Sequence, residues 1–144
     1  VSVRKELERM PIANFELKTE SNVPYDITPQ VAEAVRNSGV SCGIGVVALP
    51  HTTAAVCIIS FPDPNCLEDV MDEVARLVPA RIDFKHQHDT PHDAAGHVKS
   101  AVIGSSLSIL VDGGAPVLGH SQKIYFLEFD GPRERSFNVC VVPV

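Results

Sequence analysis

The sequence predicts an α+β fold: a single two-layer domain, residues 1–144, in which an antiparallel or mixed β-sheet is packed by two to three helices. Three observations predict it. Apolar, β-branched runs recur along the chain, bounded by Gly, Pro, Asn and Asp. Helical periodicity is confined to a few windows, each with its own start and stop residues. The two kinds of segment do not alternate strictly, which argues against a parallel sheet built from βαβ units. A length of 144 residues suits one domain with a sizeable core.

Taken in order, Ser2–Glu8 alternates apolar and charged residues as an edge strand does, and Met10-Pro11 ends it. Phe15–Thr19 is a second strand. A helix follows, with Thr28 as N-cap, Pro29 in the first helical position, Val31, Ala34 and Val35 on one face, and Asn37-Ser38-Gly39 as its stop. Gly43–Leu49 is a short apolar run and reads as a buried strand; Pro50 interrupts it, and Ala54–Ser60 resumes. The next helix has the clearest pattern. Asp63 caps it, Pro64 opens it, and Cys66, Leu67, Val70, Met71, Val74, Leu77 and Val78 recur at helical spacing. Its acids, Glu68, Asp69, Asp72 and Glu73, read as a solvated face rather than a catalytic carboxylate pair. A third helix is expected over Ala94–Ile103, with Asp93 as N-cap and Gly104 as stop. Leu107–Val111, a hairpin turn at Asp112-Gly113-Gly114, Ala115–Leu118, Lys123–Phe129, a turn at Gly131-Pro132 and Ser136–Val142 complete the chain.

Composition excludes several function classes. The net charge is −6, and the twelve Lys and Arg residues are scattered, so no basic footprint for nucleic acid exists. No apolar run approaches the roughly eighteen residues of a membrane span. The first ten residues show no signal-peptide core, and the cysteines are those expected of a cytoplasmic protein. The four cysteines form no CxxC pair, and three lie in apolar stretches, so they read as reduced core residues.

The chemistry concentrates in Phe84–Ser106, where His86, His88, His92 and His97 fall within twelve positions. Imidazole titrates near neutrality and is the commonest metal ligand. His88 and His92 are spaced for one helical face, but Pro91 between them argues against a helix there. His97 falls on the third helix, and His86 and His88 fall on the segment leading into it. Ligands from a loop and a helix, completed by a distant third, are an ordinary arrangement for catalytic zinc. A solvated His-rich loop is the alternative. Ser105 and Ser106, near Lys99, offer hydroxyls and amides to a phosphate, although a cap and tight turn would look the same. Arg133 can fork onto a phosphate or form a surface ion pair.

The motifs His51–Ala55 (HTTAA), Asp63-Pro64, Asp69, GHVKSAVIGSS ending at Ser106, and Glu128–Arg135 (EFDGPRER) together resemble the YjbQ-like family, also labelled the secondary thiamine-phosphate synthase family. The similarity runs in order from about Phe15 to Val142. The resemblance implies a small α+β domain that assembles as a homotrimer, with His51, His86 and His97 at the positions of the family's motif histidines. It also implies a thiamine-phosphate synthase-like transfer, joining a pyrimidine diphosphate to a thiazole phosphate with loss of pyrophosphate. Two segments depart from the pattern: Ile59-Ser60 stands where the family has Asn-Glu, and Gly119-His120-Ser121-Gln122-Lys123 replaces Gly-Thr-Trp-Gln-Gly. Ile in place of Asn removes hydrogen-bonding capacity outright.

Three functions are therefore expected candidates. In the first, His51, His86 and His97 hold a divalent metal, zinc, while Lys99, Ser105, Ser106 and Arg133 neutralise the charge of a phosphorylated small molecule. In this reading His88, His92 and His120 stay outside the ligand set. In the second, a trimer keeps the metal or phosphate-ligand pocket but has lost catalysis, as Ile59, Ser60 and Ser121 suggest. In the third, the histidines are only a polar loop on a structural trimer.

Overall fold

The structure, a computed structural model, describes residues 11–144; the expected strand Ser2–Glu8 lies outside them. Eight strands and three helices follow in the order β1 (Ala13–Thr19), β2 (Pro24–Asp26), α1 (Thr28–Ser38), β3 (Gly43–Ala48), β4 (Ala54–Ser60), α2 (Pro64–Leu77), α3 (Pro91–Ile103), β5 (Ser106–Asp112), β6 (Ala115–Pro116), β7 (Gln122–Glu128) and β8 (Arg133–Pro143). The α+β class stands: three helices pack on antiparallel sheets. The strands divide between two sheets, five in the order β1-β8-β3-β5-β6 and three in the order β2-β7-β4.

Burial explains the division. One core lies between the sheets and under α1, joining Val31 and Val35 to Val47, Val111, Phe137 and Val139 of the larger sheet and to Val56, Ile124 and Phe126 of the smaller. A second core lies on the other face of the smaller sheet, where Ala55, Ile59, Tyr125, Leu127 and Phe129 meet Met71 of α2. The smaller sheet is thus buried on both faces, and β4 and β7 carry nearly continuous apolar runs instead of alternating ones. In the larger sheet β3, β5 and β8 alternate, because their outer face carries no helix.

Backbone chemistry sets the helix ends. Asp63 caps α2, its carboxylate accepting from the Asn65 N–H at 3.0 Å. Helix α1 begins one residue earlier than expected for a Thr28 cap. The cap position falls to Ile27, and the Thr28 hydroxyl accepts from the Ile124 N–H at 2.8 Å. Gly39 ends α1 in the left-handed region, φ 71°.

The largest correction is at α3. It starts at Pro91, not Ala94, and its cap is Thr90, whose hydroxyl accepts from the Asp93 N–H at 3.2 Å. Pro91 is no helix breaker here, because a first-turn residue has no intrahelical use for its N–H. The four cysteines are free, as expected, but they are not core residues: Cys42 is exposed and the others are only half-buried.

Gly43 marks a tight backbone approach in β3. A Cβ there would lie 2.1 Å from the Val142 carbonyl oxygen of β8. Gly43→Ala is expected to lower stability by about 1–3 kcal/mol through overpacking against main chain, read as a lower urea midpoint.

Candidate functional site

The site forms where the chain leaves one sheet for the other, between the end of β3 and the start of β4. Extending the β3–β8 register by two residues would set Pro50 against Ser136. Proline has no N–H to donate, so the ladder cannot continue. The His51 ring takes its place: Nε2 lies 2.9 Å from the Ser136 nitrogen and 3.0 Å from the Ser136 carbonyl oxygen. Neutral Nε2 accepts from the Ser136 N–H, and a protonated Nε2 can only donate to the carbonyl. Burial, and the nearby Arg135 guanidinium, lower the His51 pKa from its ordinary value.

The sign of the resulting pH effect follows. A base whose folded pKa lies below its unfolded value of 6.5 contributes fully above that value and loses its contribution as pH falls through the lowered one. His51→Ala should cost about 1–3 kcal/mol at pH 7.5 by orphaning the Ser136 N–H. The loss relative to wild type should shrink as pH falls below 6.5 and through the lowered value. Urea titrations of both proteins from pH 7.5 to 5 check this.

Helix α3 supplies the second half of the site. Because Thr90 does the capping, the Asp93 carboxylate is free to turn toward the histidines. Its Oδ2 lies 3.1 Å from His86 Nε2 and 3.4 Å from His97 Nε2. One donor atom from each of the three residues lies within 4.8 Å of the others. Asp93 and His97 are one helical turn apart on the same face, while His86 arrives from the segment before the helix. The His86 and His97 rings meet edge to face, centroids 5.1 Å apart. Small residues let α3 sit close to β4: a Cβ at Gly96 would meet Thr53 Cβ at 3.3 Å, and the Ser100 hydroxyl donates to the Ala54 carbonyl at 2.7 Å.

Two arginines flank this cluster. Arg135 is buried and grips Glu128 with two nitrogens, Nε to Oε2 at 2.6 Å and Nη2 to Oε1 at 2.5 Å, and Nη2 also donates to the Thr53 hydroxyl at 2.8 Å. Burial alone would raise the Glu128 pKa, but hydrogen bonds from Arg135, the Thr19 hydroxyl and the Asp130 N–H outweigh it and hold the carboxyl low. Arg133 is exposed and pairs with Asp130, Nη2 to Oδ2 at 2.5 Å. A polar recess of about 300 Å³ brings His51, Thr53, Asp93, His97, Arg133 and Arg135 to one place.

Of the residues expected at the site, the structure gathers His86 and His97 with Asp93, and sets His51 in the adjoining recess with its Nε2 committed to Ser136. Ser105 lines a neighbouring recess with His51 and His97. Ser106 is exposed at the start of β5. Lys99 is buried on α3, its Nζ 5.4 Å from the centre of the Phe129 ring, and burial lowers its pKa. His88, His92 and His120 are exposed. Sequence reasoning missed Asp93, Arg135 and Glu128. The i, i+4 spacing of Asp93 and His97 was the available signal for the first.

Fold and site define a small α+β protein with a His–Asp–His donor cluster at the seam between two antiparallel sheets. The chain belongs to the YjbQ family: the family model described as UPF0047 protein YjbQ-like matches residues 13–143. It is 36% identical over 129 residues to a UPF0047 protein of Methanocaldococcus jannaschii, covering 89% of this chain and 91% of that one. A UPF0047 protein of Archaeoglobus fulgidus is 40% identical over 121 residues, 83% of this chain and 91% of its own. Among solved structures, an uncharacterised yjbq/upf0047 family protein from Clostridium acetobutylicum superposes with a TM-score of 0.85 at 38% identity, over 90% of this chain and 99% of that one. A hypothetical protein from Aeropyrum pernix gives 0.85 at 36% identity, over 94% and 100%.

Proposed function

We propose that this protein is a metal-dependent enzyme acting on a phosphorylated small molecule. The observation that carries the reading is the convergence of His86, Asp93 and His97 beside a recess bearing two arginines and His51. Two imidazole nitrogens and a carboxylate oxygen suit a divalent metal, zinc first, and three protein ligands leave a position for water or substrate. Zinc held there would act as a Lewis acid on a phosphoryl oxygen. The chain's own residues do the rest: Arg135, fixed by Glu128 and Thr53, and Arg133, paired with Asp130, border the recess and offer N–H donors to the anion. The reaction class follows the family resemblance, a transfer of thiamine-phosphate synthase type in the cytoplasm.

The same reading includes a homotrimer. Leu110, Ile44 and Val142 are cross-strand neighbours on β5, β3 and β8, and all three are exposed on the helix-free face of the larger sheet. Such a row supports self-association. The second reading is a trimer that binds the metal and phosphate ligand without turnover. It is favoured by Ile59, buried in the apolar cluster under α2 where the family has Asn.

The test joins three measurements on one preparation: zinc stoichiometry, sedimentation mass, and pyrophosphate release from a pyrimidine diphosphate and a thiazole phosphate. Stoichiometric zinc, a trimer mass and release of pyrophosphate are expected. Zinc and phosphate binding without release would select the second reading, and no zinc binding would overturn both.

A further inference from the structure

We propose that the groove between the C-terminal end of α2 and the outer face of α3 binds the apolar portion, an aromatic ring or branched alkyl group, of the same ligand whose anionic head is held at His86, Asp93 and His97. This rests on the reading of that cluster as a ligand site. The groove measures about 730 Å³, within the roughly 300–1,000 Å³ range of small-molecule sites. Leu77 from α2, Phe84 from the connecting segment, and Ala94 and Val98 from α3 form its apolar wall, and His86 and His97 stand at its edge. Those two histidines also belong to the donor cluster, and His97 lines the arginine-bearing recess on the cluster's other side. The donor set is therefore the junction of an apolar groove and a polar, arginine-bearing recess.

That placement selects a bipartite ligand. A free inorganic anion would satisfy the recess and leave the groove in water. A purely apolar molecule would leave the donor set unused. A ring or branched chain joined to a phosphoryl group fills both sides, and the bond between the two parts then lies at His86 and His97. Arg81 stacks on the Phe84 ring at 4.5 Å from the centroid and pairs with Asp83 at 3.0 Å, so the ring has a held neighbour on one face.

The test uses the zinc-loaded full chain and three probes: inorganic phosphate for the recess, 1-naphthol for the groove, and 1-naphthyl phosphate for both. Calorimetry is expected to show 1-naphthyl phosphate binding about tenfold or more tighter than phosphate. In the Leu77→Gln/Val98→Gln variant the ratio of the two affinities should fall toward one. Both positions are exposed in the wild type, at 67% and 40%, so the exchange leaves the core untouched. Equal affinities for the two phosphates in wild type would overturn the groove assignment while leaving the metal and phosphate reading intact. Binding of 1-naphthol without phosphate would do the reverse. A change in sedimentation mass of the double variant would show the groove to be a contact between subunits, which also overturns the assignment.

Discussion

Glu128→Gln is expected to destabilise the protein by about 3–5 kcal/mol, the usual result of removing one member of a buried ion pair. Glu128 is fully buried, and it receives the Arg135 guanidinium, the Thr19 hydroxyl and the Asp130 N–H. With a neutral amide in its place the Arg135 charge stays buried against Thr53 with no counter-ion. A Glu128→Leu/Arg135→Met double variant should lose less than the sum of its single changes, because the desolvation of both charges disappears together. The carboxyl's pKa is lowered in the folded state. Its contribution is therefore complete above the unfolded value of about 4.5 and is lost as pH falls through the lowered folded value. Urea unfolding of wild type, Glu128→Gln, Glu128→Leu, Arg135→Met and the double variant at pH 7, and of wild type down to pH 3, measures both effects. A double variant as unstable as the sum of the singles would show that Glu128 and Arg135 act independently.

Asp93→Ala should lower zinc affinity by a hundredfold or more. Loss of a partner that merely orients a ligand already costs about 10–100-fold, and Asp93 would be a ligand itself. The helix should survive the change. The cap that starts α3 is the Thr90 hydroxyl on the Asp93 N–H, which alanine retains. In metal-free protein the variant should match wild type or exceed it, because a buried carboxylate is removed. Zinc calorimetry and a metal-free urea titration read the two quantities separately. His92→Ala, at an exposed position outside the cluster, serves as the control. Unaltered zinc affinity in Asp93→Ala would remove the carboxylate from the ligand set.

The elements that sequence alone located best are those whose pattern is local. Helix α2 shows cap, proline and apolar spacing within one window, and its observed start agrees with that reading. Strands β4 and β7 stand out as unbroken apolar runs, but the reason, burial on both faces, depends on α2 and α3 lying across them. Pairing is long-range, so the division into two sheets left no mark in any single segment. Strand β2, three residues long, has no period to detect.

The site was half legible for a related reason. A proline can break a helix or open one, and the sequence around Pro91 permits both. Reading it as a break moved the cap to Asp93 and thereby removed Asp93 from the ligand candidates. The bonds of His51 to Ser136 join residues 85 apart, and they follow from where β3 stops against β8. Arg135 was hidden behind Arg133 in the same short motif. The two are i and i+2 on β8 and share a face of the strand; Arg133, at the strand's first residue, stays exposed against Asp130, while Arg135 lies deep enough to meet Glu128.

Helix α2 has one buried residue, Met71; Leu67, Val70 and Val74 are only partly covered and Leu77 is mostly exposed. An element with so thin an apolar attachment opens at a lower free energy than the sheets it rests on. In the isolated chain its amides should therefore exchange with deuterium well before those of β7, through a local opening that leaves both sheets intact. Anything that settles against its inner end, a ligand or a neighbouring subunit, would slow that exchange and leave its imprint on the one helix that has the most protection to gain.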